Sequence, residues 1–346
     1  MKNEQVRRIL IIRLSSLGDI ILTTPLINLI QVTFPLARID FCTKEQYAFI
    51  VRSNPAIHKV IKAKNELNYE ALKDLRQLIK MSNYNLIIDA QNNIKSFYLR
   101  MIQDAKILVF KKYSIKKFLL VNFKIDLMKD LPPISERYIE MVTEFASPED
   151  LKKKILPEVF TDAVSERSID KMLESLGLNK GNKLVCIPAV SKHFTKTYPA
   201  EFYAEIINKF PGESAAFFLT GTGTDSININ IIKSLTKNRK VYDLCNNLDI
   251  SDLISLLKRC SLVICGDTGP MHLAEALNIP LIMLAGSSVK EFGFYPQNGD
   301  AIILENNGLK CRPCSHIGRK KCPKGHFKCM KEITPEMVLG KVQLPK

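Results

Sequence analysis

Short β-branched runs alternate with longer stretches of helical periodicity along most of this chain. Residues 8–14 read as a buried strand. The polar turn Ser15–Ser16–Leu17–Gly18–Asp19 follows, and residues 20–32 then carry apolar side chains at helical spacing. The same reading places strands over 37–42, 59–61, 85–89 and 106–110, separated by helices such as the one over 69–81. From about 111 to 154 the pattern blurs, in a lysine-rich stretch that contains Pro132–Pro133. It restarts with strands over 183–187, 215–220, 262–266 and 281–284. Strands that alternate with helices predict parallel sheets built from βαβ units. Two such series divided by a blurred middle predict two doubly wound α/β domains, with the boundary between 150 and 180 and drawn at 165/166. Ligands of such sheets bind at the carboxyl ends of the strands, where the strand order reverses.

Length agrees with this division. The chain has 346 residues, too many for one ordinary core and suited to two domains of ~100–200 residues. A hydrophobic fraction of 46% and a charged fraction of 25% exclude wholesale disorder. No apolar run approaches the ~18–20 residues that span a bilayer. The first eight residues are polar and charged, so a secretory signal is not expected and a cytoplasmic location is. Charge changes the picture more: the net +15 calls for a nucleic acid, an anionic lipid or a phosphorylated substrate. Nine cysteines in a reducing compartment do not form a disulfide framework. Five are scattered through apolar segments; the other four crowd between Cys311 and Cys329.

Four strand–turn–helix junctions carry candidate chemistry. In Gly266–Asp267–Thr268–Gly269–Pro270–Met271–His272, Gly269 permits tight backbone geometry and Pro270 suits the first helical turn. The free N–H groups of Thr268 and Gly269, with the helix dipole, make an anion site to which His272 can donate. An ordinary turn capped by Asp267 or Thr268 explains the same residues. After the strand over 184–187, Ser191, Thr195 and Lys196 sit in a loop before Pro199, where Lys196 either meets a pyrophosphate or is simply solvated. The G-x-G of Gly221–Thr222–Gly223 lacks the third glycine of a dinucleotide fingerprint. Asp225 beside it either accepts from a ribose or caps a helix. No G-x-x-x-x-G-K-[ST] occurs, which excludes a P-loop enzyme. In the first turn, Gly18 lets a ligand approach the backbone, and Asp19 is either a weak base or an N-cap.

Three blocks in fixed order identify a resemblance. R-L-S-S-L-G-D-I-I-L-T-T-P-L at 13–26, S-x-x-x-T-K-x-Y-P at 191–199 and G-D-T-G-P-M-H-L-A-E-A-L at 266–277 resemble the bacterial lipopolysaccharide heptosyltransferases, glycosyltransferase family 9, in register over nearly the whole chain. The resemblance implies the GT-B fold: two Rossmann-like doubly wound domains facing each other across a cleft. Residues 1–165 would bind the acceptor and 166–346 the nucleotide sugar. It implies inverting transfer of a heptose from ADP-heptose to the inner core of lipopolysaccharide on lipid A. On the matching positions Asp19 would be the general base. Lys196 and Ser191, with Thr195, would hold the donor diphosphate. Asp267, Thr268, Gly269 and His272 would contact phosphate and heptose. Asp225 stands where the family usually has a Glu on the adenosine ribose, and Tyr198 replaces the usual Trp. Ser15, Ser16, Gly18, Lys111 and Lys112 would lie on the acceptor side. No catalytic metal or cofactor is expected, and the protein is expected as a monomer.

Two further signals remain. Residues 106–124 contain six lysines and no acid, interleaved with Phe110, Tyr113, Phe118, Leu119 and Phe123. Beside a solvated basic face, this suits docking on an anionic membrane or on acceptor phosphates, hence a peripheral place at the inner membrane. Cys311, Cys314, Cys322 and Cys329 have the residue types for a closed Zn or Fe site, although only one C-x2-C pair is present; reduced cysteines packing a loop are the alternative. Two other functions fit parts of this pattern: heptosylation of a protein, or transfer from another nucleotide sugar. A nucleic-acid-binding module with a four-cysteine metal site fits the charge but leaves the three blocks unexplained, so no nucleic-acid partner is expected.

Overall fold

The structure is a computed structural model and describes residues 6–101, 104–152, 155–179, 181–212, 214–222, 226–237 and 239–343. The chain divides into two compact units. The first comprises Met1–Tyr113 and Pro132–Phe160, the second Ser114–Leu131 and Thr161–Lys346.

The first unit holds five parallel strands: β1 (Arg8–Ile12), β2 (Arg38–Lys44), β3 (Ile57–Ala63), β4 (Leu86–Asp89) and β5 (Lys106–Val109), in the order β3-β2-β1-β4-β5. Strands covered on both faces need apolar side chains at successive positions, and Ile9, Leu10, Ile11 and Ile12 are all buried. The order reverses between β1 and β4, where Ile12 pairs with Asp89. On one face Leu10, Ile12, Ile61, Ile79 and Leu99 share a core. The helical pattern after β1 is divided in two, Leu17–Ile21 and Thr24–Thr33. Pro25 has no N–H to continue the first helix. The Thr23 and Thr24 hydroxyls instead donate to the carbonyls of Ile20 and Ile21 at 2.6 and 2.7 Å.

The second unit holds six parallel strands: β6 (Leu184–Pro188), β7 (Ala216–Thr220), β8 (Lys240–Asp243), β9 (Leu262–Gly266), β10 (Leu281–Ala285) and β11 (Ala301–Glu305), in the order β11-β10-β9-β6-β7-β8. The order reverses between β6 and β9. β8 and β11 are additions to the strands legible in the sequence. Both are edge strands with mixed exposure; β8 lacks the apolar run that marks β6, β7, β9 and β10, whereas β11 carries four apolar residues in a row.

The blurred stretch contains the helix Ser114–Phe123, and residues 114–131 pack with the second unit. Leu120, Met128 and Phe292 form a small core with Val121, Leu131, Val289 and Phe294. Only Leu120 of this helix is buried, so its apolar residues trace no single inward stripe and its periodicity is lost. Phe292→Ala should remove about 3 kcal/mol from this contact. Hydrogen exchange should then quicken across 114–131 while the amides of β1 keep their protection. Unchanged exchange over 114–131 would contradict the packing.

Candidate functional site

In the second unit, the loops after β6 and β9 meet at the reversal point. The first forms a short turn, Phe194–Lys196, and the second leads into the helix Gly269–Ala276. They bring Lys196 Nζ to 2.7 Å from Asp267 Oδ2, with the two side chains 15% and 9% exposed. Burial alone would raise the Asp267 carboxyl, but the Lys196 ammonium and the nearby His272 outweigh it and hold the group below the usual carboxylate range. A Cβ on Gly266 would run into the Lys196 carbonyl oxygen, so only glycine lets the two loops close to this distance.

Thr268 is the N-cap of the helix Gly269–Ala276, yet its side chain makes no cap bond; its hydroxyl donates to Gly266 O at 3.4 Å. The helix therefore presents its first turn without a side-chain cap, beside a cation. Pro270 occupies that turn, as its fixed φ suits. His272 is buried, with Nδ1 3.6 Å from Glu275 Oε2, and neither atom has a hydrogen-bond partner among the described residues. Glu275 Oε1 accepts from Gln297 N at 2.5 Å. Nδ1 therefore faces the Glu275 carboxylate beyond hydrogen-bond distance.

The lysine loop is braced from within. Ser191 N donates to Thr197 Oγ1 at 3.1 Å. Thr195 is buried; its Oγ1 accepts from Arg319 N at 2.9 Å and from Ser287 Oγ at 3.0 Å, while its own N donates to Arg319 O at 3.2 Å. Phe194 stacks on Phe327 at 4.5 Å. Arg319 and Phe327 both belong to the cysteine-rich segment, which thus acts as a splint for Lys196. Arg312 anchors that splint, donating to Ser288 O and Glu305 Oε2, both at 2.8 Å. His193 and His316 are each held below the usual histidine value, first by burial and then by neighbouring lysines, Lys196 among them.

The four crowded cysteines line one pocket with His326, whose Nε2 lies 3.8 Å from Cys311 Sγ. Burial raises the thiols of Cys314 and Cys329, the latter to about 11. Among the described residues, no three His, Cys, Asp or Glu side chains are arranged to hold a metal ion. Of the two readings open from the spacing, a Zn or Fe site and reduced cysteines packing a loop, the first has no assembled ligand set among the described residues.

In the first unit, Asp19 sits in the short helix Leu17–Ile21. Arg13 NH2 pairs with its Oδ1 at 2.7 Å, and Ser16 donates to Oδ2 from both N (3.2 Å) and Oγ (2.7 Å). Burial would raise this carboxyl, but Arg13 and the Ser16 bonds together hold it below the ordinary range. Asp19 is thus not the N-cap of this helix, which is Ser16; from the third helical position it closes the capping box, and its neighbours keep it ionised. Arg13 is itself fixed by donation to Ala90 O at 2.6 Å. Gln91 Oε1 accepts from Leu14 N and Ser15 N, tying the β1 turn to the end of β4. Gly18 is buried in this turn.

Lys112 lies within electrostatic reach of Arg13, Asp89 and Asp19; burial, then Arg13, lower its value. Lys111 instead lies over the Tyr113 ring at 5.0 Å. Asp225 lies outside the described residues. Tyr198 is buried and donates to Ile333 O at 2.6 Å, a packing role. Sequence reasoning missed Arg13, Glu275, Ser287 and Arg319. Arg13 and Glu275 lie inside the motif blocks, where an ionisable residue in an apolar run was the available signal. Arg319 acts mainly through its backbone, which leaves no side-chain signal.

Among the described residues, no helix is long and apolar enough to cross a membrane. Compared with known proteins, the chain is 28% identical to lipopolysaccharide heptosyltransferase 1 of Campylobacter coli, over 97% of this chain and 98% of that one. Its fold superposes on a family 9 glycosyl transferase from Veillonella parvula with a TM-score of 0.81 at 19% identity, covering 99% and 96% of the two chains. The E. coli ADP-heptose lps heptosyltransferase II gives 0.76 at 20% identity, covering 96% and 97%. The two parallel-sheet α/β units are thus those of the GT-B heptosyltransferase fold. The profile described as glycosyltransferase family 9 (heptosyltransferase) matches residues 72–324. Most of the chain lies within that match, and the chain belongs to this family of glycosyltransferases.

Proposed function

We propose that this heptosyltransferase moves a heptose from ADP-heptose to the inner core of lipopolysaccharide, with inversion at the anomeric carbon. The observation that carries this reading is the oriented Lys196 ammonium beside a helix N-terminus without a side-chain cap, at the reversal point of the second sheet. Nucleoside diphosphates suit such a position: backbone N–H groups and a fixed cation meet their charge. As the sugar–phosphate bond breaks, negative charge grows on the departing ADP. Donors already aimed at that charge stabilise the transition state more than the ground state. Lys196, the N–H groups of Thr268 and Gly269 and the His272 Nε2 are assigned this task. Ser191 and Asp267 position them, and Thr195 supports the loop from beneath. Asp225 is assigned to the adenosine ribose.

Asp19 is assigned to the acceptor hydroxyl as general base, with Ser15, Ser16, Gly18, Lys111 and Lys112 on the acceptor side. A carboxylate held below its ordinary range is a weak base, so the proton must pass late, when the hydroxyl oxygen has already become acidic by bonding to the anomeric carbon. The lipid-anchored, phosphorylated acceptor matches the basic excess of the chain.

Lys196→Ala should weaken ADP binding at least tenfold by calorimetry, whereas Asp19→Asn should leave ADP affinity unchanged and lower transfer from ADP-heptose by roughly 10²–10⁴-fold. Near-normal transfer by the Asp19 variant would refute the base assignment. A pH dependence follows from His193 and His316. Both are depressed in the free protein by burial and by Lys196, and an arriving diphosphate offsets that repulsion and raises them. The complex then binds more protons than the free protein, so ADP affinity should rise as pH falls below about 6.5. Calorimetry in buffers of different ionisation enthalpy should register proton uptake; proton release or no exchange would refute the assignment.

A further inference from the structure

Beyond the proposed reacting groups, the second unit carries an exposed surface that is both apolar and basic. Along residues 114–131, Ile115, Phe118 and Phe123 are 77%, 58% and 62% exposed, and Ile125 and Leu127 are about half exposed. Phe118 and Phe123 lie edge to face with centroids 6.0 Å apart, so they form one apolar projection. Five large apolar side chains exposed within thirteen residues are costly in water. The same segment carries Lys116, Lys117, Lys124 and Lys129 against Asp126 and Asp130.

The fold sets a second basic segment against this one. Lys124 Nζ donates to the carbonyls of Pro313 at 2.5 Å and Cys311 at 3.4 Å, so the end of the helix is fastened to the cysteine-rich segment. Lys117 is close enough to His316 to help hold it below its usual value. Residues 310–331 contain eight Lys or Arg and no Asp or Glu. Arg319, Lys320, Lys321 and Lys324 are exposed, as is Ile317 at 54%. Segments almost two hundred residues apart in the chain thus make one face. It bears apolar projections and a surplus of positive charge.

We infer that this face of the second unit docks on an anionic lipid bilayer, with the Phe118–Phe123 projection entering the interface and the cysteine-rich segment meeting the headgroups. The inference rests on the lipid-anchored acceptor proposed above and specifies how the enzyme reaches it. Its two ingredients discriminate among partners. Exposed aliphatic side chains such as Ile115, Ile125 and Leu127 gain nothing from a nucleic-acid backbone, whereas the bilayer interface takes up apolar groups and basic groups together. Each lysine held near an anionic leaflet adds several-fold to binding, and the attraction falls within a Debye length.

The test is co-sedimentation of the full chain with vesicles of phosphatidylcholine alone and of phosphatidylcholine with phosphatidylglycerol. Binding should require phosphatidylglycerol and weaken as salt is raised. A double variant, Phe118→Ser with Phe123→Ser, should bind at least tenfold more weakly. A second, Lys320→Glu with Lys321→Glu, should lose roughly tenfold or more. All four positions are exposed, so ADP affinity and transfer to a delipidated acceptor saccharide should stay as in the wild type. Failure of the wild-type protein to bind anionic vesicles would overturn the inference, as would retention of RNA in preference to them. Undiminished vesicle binding by both variants would overturn this face as the docking surface. Vesicle binding lost in the variants, with no transfer from ADP-heptose to any acceptor by the wild type, would uphold the surface and overturn the proposed function instead.

Discussion

The second unit is organised around one costly interaction, the nearly buried pair of Lys196 and Asp267. Two charges withdrawn from water each carry a desolvation penalty of several kcal/mol, recovered only when the partners meet in good geometry. That requirement reaches into the rest of the unit. Gly266 must lack a Cβ for the lysine loop to come close, and Gly286 likewise, because a Cβ there would stand 2.7 Å from Thr195 O. Thr195 must be held, and Ser287 and Arg319 hold it. Arg319 must be placed, and the segment that places it is fastened to the loop after β10 and to β11 through Arg312. The cysteine-rich segment, set apart in the sequence as a metal candidate, thus acts mechanically on the chemistry: it stiffens the loop that presents the cation.

The two sheets solve a similar problem with opposite polarity. In each, the strand order reverses once, and a buried ion pair stands at the carboxyl ends near that reversal. Beside β1 the proposed reacting member is the carboxylate of Asp19 and the guanidinium of Arg13 positions it. Beside β6 the proposed reacting member is the ammonium of Lys196 and the carboxylate of Asp267 positions it. An inverting transfer needs these two charges, a base for the incoming hydroxyl and a cation for the outgoing phosphate. The parallel-sheet topology offers the same kind of place for both. Pairing holds each group oriented before substrate arrives, so less reorganisation remains for the reaction itself.

Much of this was legible from the residues because parallel strands buried on both faces are nearly continuous apolar runs. β1, β4, β6, β7, β9 and β10 announce themselves in this way, and β1, β6, β7 and β9 lead into the four turns whose residue types carry candidate chemistry. What escaped did so for physical reasons. β8 is a half-solvated edge without such a run, and in β11 the run 301–304 stands on an edge where only Leu304 is buried. Pro25 divides a helix that apolar spacing alone would leave whole. The brace on the lysine loop includes backbone atoms of Arg319, 124 residues from the Thr195 they hold, and no local pattern encodes a contact at that separation. The four cysteines show the converse: their spacing suggested a metal site, but lining a common pocket is a weaker condition than converging on one point.

The route of the chain sets a limit on how such a protein is taken apart. Residues 114–131 lie between two segments of the first unit yet complete the core around Phe292 in the second, so the backbone passes from one unit to the other three times. No single scission yields two intact halves, since a cut after Phe160 strands Leu120 and Met128 away from the side chains they cover. Recombination between related genes meets the same obstacle. One crossover would pair the second unit with a foreign helix against its core, and only a double exchange carrying 114–131 along would preserve the fit. The two units are separable as bodies but inherited as one.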